Sequence, residues 1–85
     1  MKEFTYTIKD ELGIHARPAG LLVKEATKFS CDIKMRKDDK EIDAKRIIGV
    51  MSLGTKQGDT VTLIANGDDE DKAIESLKEF MENNL

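Results

Sequence analysis

Ile33-Lys34-Met35-Arg36-Lys37-Asp38-Asp39-Lys40-Glu41-Ile42 decides the fold of this chain. Ile33 and Met35 alternate with Lys34 and Arg36, the period of a strand with one buried face. Lys37-Asp38-Asp39-Lys40 carries the residues of a tight turn, and Ile42 anchors a short strand returning from it. Strands joined this closely run antiparallel, so a β-hairpin occupies the middle of the chain.

Working outward, Ala19, Leu22, Val23, Ala26 and Phe29 fall three or four apart and predict an amphipathic helix that begins near His15. A loop from Lys9 to Gly13 precedes it. Before that loop, Phe4, Tyr6 and Ile8 alternate with Thr5 and Thr7 as a first strand. On the other side of the hairpin, Ile47, Val50 and Met51 sit at helical spacing in a short segment, and Gly54 is placed to cap its C-terminus. Ile48 falls off that stripe. Gln57-Gly58-Asp59 is a turn, and Thr60 to Ala65 is a β-rich fourth strand. Asp68-Asp69-Glu70-Asp71 puts negative charge on the first turn of a last helix, where the dipole favours it. Ala73, Ile74, Leu77, Phe80 and Met81 form that helix's apolar stripe. The order is βαββαβα, expected as one domain over residues 1–85. An α+β open-faced sandwich, a four-stranded antiparallel sheet with the helices on one face, satisfies the pattern.

The 85 residues are 36% charged and 39% hydrophobic, enough for one core and too few for two. A net charge of −3 with 5% aromatics argues against a small nucleic-acid-binding module, which needs a basic face or exposed aromatic rings. Cys31 is the lone cysteine and can form no internal disulfide, so a reducing compartment is expected. Its simplest role is that of a small hydrophobe at a strand start. Met1 leads into a charged, alternating segment rather than an apolar run, and no stretch has the length of a membrane span. A cytoplasmic protein without membrane insertion is the expectation. No cysteine or histidine cluster offers a metal site, and no Walker motif offers a nucleotide site, so no cofactor is expected.

The candidate chemistry lies in Gly13-Ile14-His15-Ala16-Arg17-Pro18-Ala19-Gly20, around the only histidine of the chain. A lone histidine is by default a surface or structural residue, and a lone arginine a solvated charge. The setting changes that reading. Neutral imidazole is a nucleophile available near pH 7. A helix start beside it supplies the backbone N–H groups of Ala16 and Arg17, which favour an anion. Arg17 can donate two hydrogen bonds to phosphate oxygens. Pro18 sits in the first helical turn, where its missing N–H breaks no intrahelical bond. Together these residues suit a site that carries a phosphoryl group.

Two motifs, Gly13 to Ala19 and Ile47-Ile48-Gly49-Val50-Met51-Ser52-Leu53-Gly54, with the βαββαβα order, make the chain resemble the histidine-containing phosphocarrier (HPr) family of the bacterial sugar phosphotransferase system. The resemblance spans nearly the whole chain. It implies that phosphorylated enzyme I passes a phosphoryl group to Nδ1 of His15, and that the IIA domains of sugar permeases receive it in turn. It implies a carrier rather than an enzyme. A monomer is the simplest expectation, although the sequence itself leaves the oligomeric state open. It also implies that the short second helix, with Ile47, Ile48 and Met51, exposes part of an apolar docking patch beside His15; Ile47 and Met51 are then expected partly exposed and Val50 and Leu53 inward. By default those residues would simply be core. An HPr-like regulatory phosphoprotein acting through protein contacts is the alternative.

One departure stands out. Gram-positive relatives carry a serine before the second motif, phosphorylated by an ATP-dependent kinase, whereas this chain has Arg46. A cation at a helix N-terminus costs about 0.3–1 kcal/mol when exposed. An acidic partner surface or a phosphoryl group on His15 would offset it and make Arg46 a docking residue; a solvated arginine left after lost regulation is the plain alternative.

Overall fold

In the computed structural model, which describes residues 1–85, the elements run β1 Lys2–Thr7, α1 Ala16–Ala26, β2 Asp32–Lys37, β3 Lys40–Asp43, α2 Ile47–Ser52, β4 Thr60–Asn66 and α3 Glu70–Asn84. The order matches the reading of the sequence. The four strands form one antiparallel sheet in the order β1-β4-β2-β3. β4, the last strand made, inserts between β1 and β2.

The register explains which residues are buried. Phe4 faces Leu63 and Tyr6 faces Val61 across β1 and β4, while Met35 faces both Leu63 and Ile42. These side chains point to the helices, where Ala19, Leu22 and Ala26 of α1 and Ala73, Leu77 and Met81 of α3 meet them. Burying each large aliphatic side chain stabilises the fold by about 1.5–3 kcal/mol. The opposite face stays open and carries Glu3, Thr5, Lys34, Arg36 and Thr62. Ile64 lies on that open face and is still only 8% exposed. It stands in register between Glu3 and Lys34, whose stems flank it.

Three details differ from the periodicity. α1 stops at Ala26, so Phe29 packs against the core from the turn after the helix. Ile8 is 1% exposed but lies beyond β1; it exchanges backbone bonds with the 57–59 turn, through Ile8 N–H to Asp59 O at 2.9 Å and Gly58 N–H to Ile8 O at 2.9 Å. The acidic run serves more than the helix dipole. Asp69 is the N-cap residue of α3, yet its carboxylate accepts the N–H groups of Ser30 (2.9 Å) and Cys31 (3.0 Å) and so fastens α3 to the start of β2. The Cys31 side chain and the Ser30 N–H hold Asp69 down to about 2, while burial and that same carboxylate push the Cys31 thiol up to about 11. Cys31 is therefore a buried, unreactive thiol.

α2 has no basic residue in its last turn. The β2–β3 hairpin supplies the missing cations: Lys40 Nζ donates to Ser52 O at 3.0 Å, and Lys37 Nζ reaches Leu53 O and Gly54 O at 3.4 and 3.3 Å. Gly54 follows the helix at φ +58, the left-handed conformation expected of its capping glycine.

Candidate functional site

His15 is the N-cap of α1, with extended backbone (φ −88, ψ −176) and no side-chain capping bond. Its carbonyl accepts the Ala19 N–H at 2.9 Å. The imidazole is half-buried and makes no hydrogen bond to the protein, so its ring nitrogens are left for a reactant. The N–H groups of Ala16 and Arg17 lie in the first turn, where no carbonyl one turn earlier exists to receive them. No acidic side chain occupies that turn. Pro18, buried, follows without breaking a bond. A helix start of this kind, with free N–H groups and no acidic side chain, is chemically suited to an anion.

The loop before His15 is held from three sides. Lys9 and Asp10 donate their N–H groups to Leu85 O at 2.6 and 2.9 Å, at the end of α3. Gln57 Nε2 reaches Lys9 O at 3.1 Å. Ile14 N–H donates to Thr55 O at 3.2 Å, just beyond α2. Gly13 at φ +65 brings the chain against Thr55 and Lys56 so closely that no Cβ would fit. His15 is thus placed by distant segments, and little ordering remains for the moment of reaction.

A shallow cleft of about 290 Å³ gathers His15, Arg17, Pro18 and Leu21 with Asp10 and Asn84. Sequence reasoning brought the first two together and missed the last two. Asp10 has a local signal, since Asp followed by Gly three residues later is a turn pattern; its Oδ1 accepts the Leu12 N–H at 2.8 Å. Asn84 has none. It arrives from the far end of α3, with its Nδ2 donating to Phe80 O at 3.0 Å.

The four docking candidates all lie at α2, but they do not share the His15 cleft. Ile47 (44% exposed), Ile48 (82%) and Met51 (41%) are on the surface, whereas Val50 and Leu53 are buried, as expected. Ile47 Cδ1 stands 3.7 Å from where a Cβ on Gly20 would be, and Gly20 lies one turn along α1 from Ala16. The missing side chain at Gly20 lets the apolar face of α2 run on toward the helix that starts at His15. Arg46, Ile47 and Ile48 together line an apolar groove of about 510 Å³ with Ile42, Asp43 and Gly49. Arg46 caps α2 with its side chain 81% exposed and Nε 3.6 Å from Asp43 Oδ2. Its charge has a partner within its own chain, the point on which the sequence reading looked elsewhere. The other hydroxyls near α2 are occupied or hidden: Ser52 Oγ donates to Gly49 O at 2.6 Å, and Thr55 is 6% exposed.

No helix is long and apolar enough to cross a membrane. Residues 2–83 match the family model described as "PTS HPr component phosphorylation site". Among curated proteins, the chain is 49% identical over 77 residues to the phosphocarrier protein HPr of Lysinibacillus sphaericus, covering 91% of this chain and 88% of that one. It is 45% identical over 82 residues to the HPr-like protein Crh of Halalkalibacterium halodurans, covering 96% and 98%. Among solved structures, HPr of Thermoanaerobacter tengcongensis superposes with a TM-score of 0.94 at 52% identity, covering 98% of this chain and 93% of that one; a chain from its HPr dimer structure gives 0.78, covering 98% and 95%. A histidine presented bare at a helix start, on an open-faced sheet shared at this level with HPr proteins, therefore has one family explanation: the chain belongs to the HPr phosphocarrier family of the phosphotransferase system.

Proposed function

We propose that the protein carries phosphoryl groups on His15, taking them from phosphorylated enzyme I and giving them to IIA domains of sugar permeases. The observation that carries this reading is a cleft lined by both His15 and Arg17 at the start of α1, where the His15 imidazole makes no capping bond. A neutral ring nitrogen of His15, by likeness to the family Nδ1, attacks phosphorus. The N–P bond to the donor histidine breaks as the new one forms, and the leaving imidazole keeps the bonding pair. The N–H groups and guanidinium receive the charge on the phosphoryl oxygens, so catalysis is mostly positioning and electrostatics. The apolar surface of Leu21, Ile47 and Met51 excludes water on docking and protects the transfer from hydrolysis. The protein acts as substrate and donor for its partners rather than as an enzyme. The protein acts as a monomer in this reading, which sedimentation measures. The test of the function is a phosphoenolpyruvate and enzyme I incubation that yields one acid-labile phosphoryl group per chain.

Arg17→Ala is expected to slow transfer in both directions while leaving stability near wild type. A charge-assisted hydrogen bond is worth about 1.5–3 kcal/mol, which corresponds to roughly a ten- to hundredfold loss of rate. The exposed side chain makes no ion pair, so little folding energy goes with it. Rapid-quench transfer kinetics check this, and unchanged rates would remove Arg17 from the site.

Likeness to Crh supports a second, regulatory reading. Residue 46 bears on control by seryl phosphorylation. With Arg46 in place of a hydroxyl, Ser52 tied back to Gly49 and Thr55 buried, the wild type is expected to take no phosphoryl group from the ATP-dependent kinase of Gram-positive relatives. Arg46→Ser is expected to become a substrate, because the flanking Ile47, Ile48 and Met51 remain. Mass mapping after incubation with kinase and ATP reads both. Stoichiometric phosphorylation of wild-type Ser52 or Thr55 would favour the regulatory reading.

A further inference from the structure

We propose that Asp10 is the counterweight to Arg17 in the His15 cleft, a fixed negative charge that weakens the hold of the site on the phosphoryl group and keeps the carrier a ready donor. The inference rests on the carrier reading and concerns how that same site is balanced. Asp10 reaches the cleft from outside the histidine motif and is its only acidic side chain. Three bonds fix it. Its N–H donates to Leu85 O at 2.9 Å, its carbonyl accepts the Gly13 N–H at 3.0 Å, and its Oδ1 accepts the Leu12 N–H at 2.8 Å. The other carboxylate oxygen has no hydrogen-bond partner. Neither Asp10 nor Arg17 takes part in any ion pair. A free anion and a free cation thus look into one small space, and the phosphoryl group enters between them.

His15 and Asp10 line the same shallow cleft, so a phosphoryl group on His15 stands within a Debye length (~10 Å) of the carboxylate. Repulsion at that range in a near-aqueous medium amounts to roughly a three- to tenfold bias against the phosphorylated state. Arg17 and the helix N–H groups pull the other way. A carrier that must both accept and release needs the two to be comparable, because an unopposed anion site would retain the group. A purely structural Asp10, present only to close the turn, would be equally well served by asparagine, which makes the same bond to Leu12.

That difference supplies the test. Wild type, Asp10→Asn, Asp10→Glu and Glu11→Gln are equilibrated with enzyme I at a fixed ratio of phosphoenolpyruvate to pyruvate in low salt. The phosphorylated fraction is read by intact mass. Asp10→Asn is expected to shift the equilibrium three- to tenfold toward the phosphorylated carrier with an unchanged melting curve, and Asp10→Glu to return it most of the way. Glu11→Gln loses the same charge on the exposed neighbour outside the cleft and is expected to move the equilibrium less than twofold. The Asp10→Asn effect should shrink at high salt, where exposed charges are screened. An Asp10→Asn equilibrium equal to wild type, a Glu11→Gln shift as large, or no recovery with glutamate would each overturn the proposal and leave the carrier reading standing. A wild-type protein that takes no phosphoryl group would end both.

Discussion

His15→Ala abolishes phosphoenolpyruvate-dependent phosphorylation and leaves the protein folded: this is the expected result, and the rest of the chain leaves no route around it. His15 is the only imidazole. Cys31 is 4% exposed with its thiol pushed up to about 11, so it offers no thiolate at neutral pH. Ser52 is tied to a carbonyl and Thr55 is buried. The fold should hardly notice the loss, because the imidazole caps nothing and leaves no bonded partner behind. Surface substitutions of that kind fall within about ±0.5 kcal/mol. Intact mass after incubation with enzyme I, beside a denaturation curve, reads both halves. An acid-labile phosphoryl group on a folded His15→Ala protein would sink the carrier assignment.

Gly13→Ala is expected to act through the backbone, damaging stability and transfer together while every reacting group is still present. Gly13 sits at φ +65, where a Cβ is strained, and that Cβ would land on the Thr55 carbonyl oxygen and 2.8 Å from Lys56 Cα. Both obstacles are main chain, so no rotamer change relieves them. The loop has to move away, and the Ile14 N–H to Thr55 O bond goes with it. The strained backbone and the overpacking together cost about 2–4 kcal/mol. For a domain of this size, that lowers the melting temperature by roughly 10–25 °C. His15 lies two residues on, so the transfer rate should fall as well. Gly58→Ala is the control: its φ is also positive, at +89, but a Cβ there meets nothing within 4 Å. It should lose only about 1 kcal/mol and transfer normally. Equal melting temperatures for the two variants would show that the close approach at Thr55 carries no weight.

The sequence by itself determined the element order, the buried face of the main strands and helices, and the candidate nucleophile His15. Alternation reports faces directly, since successive side chains of a strand point to opposite sides, and Ile33, Met35, Val61 and Leu63 are buried as their period requires. The His15 motif was legible because its parts lie within one turn of one helix. Where neighbours come from afar, periodicity is silent. It does not say that β4 enters between β1 and β2, that Gly20 lets Ile47 approach α1, or that Asp69 reaches back 38 and 39 residues to Cys31 and Ser30. Nor does it bring Asp10 and Asn84 into one cleft. A hydrophobic pattern states which side of an element is turned from water. Which other element covers that side is decided by register and close packing across the whole core, and in this protein that choice sets the neighbours of His15.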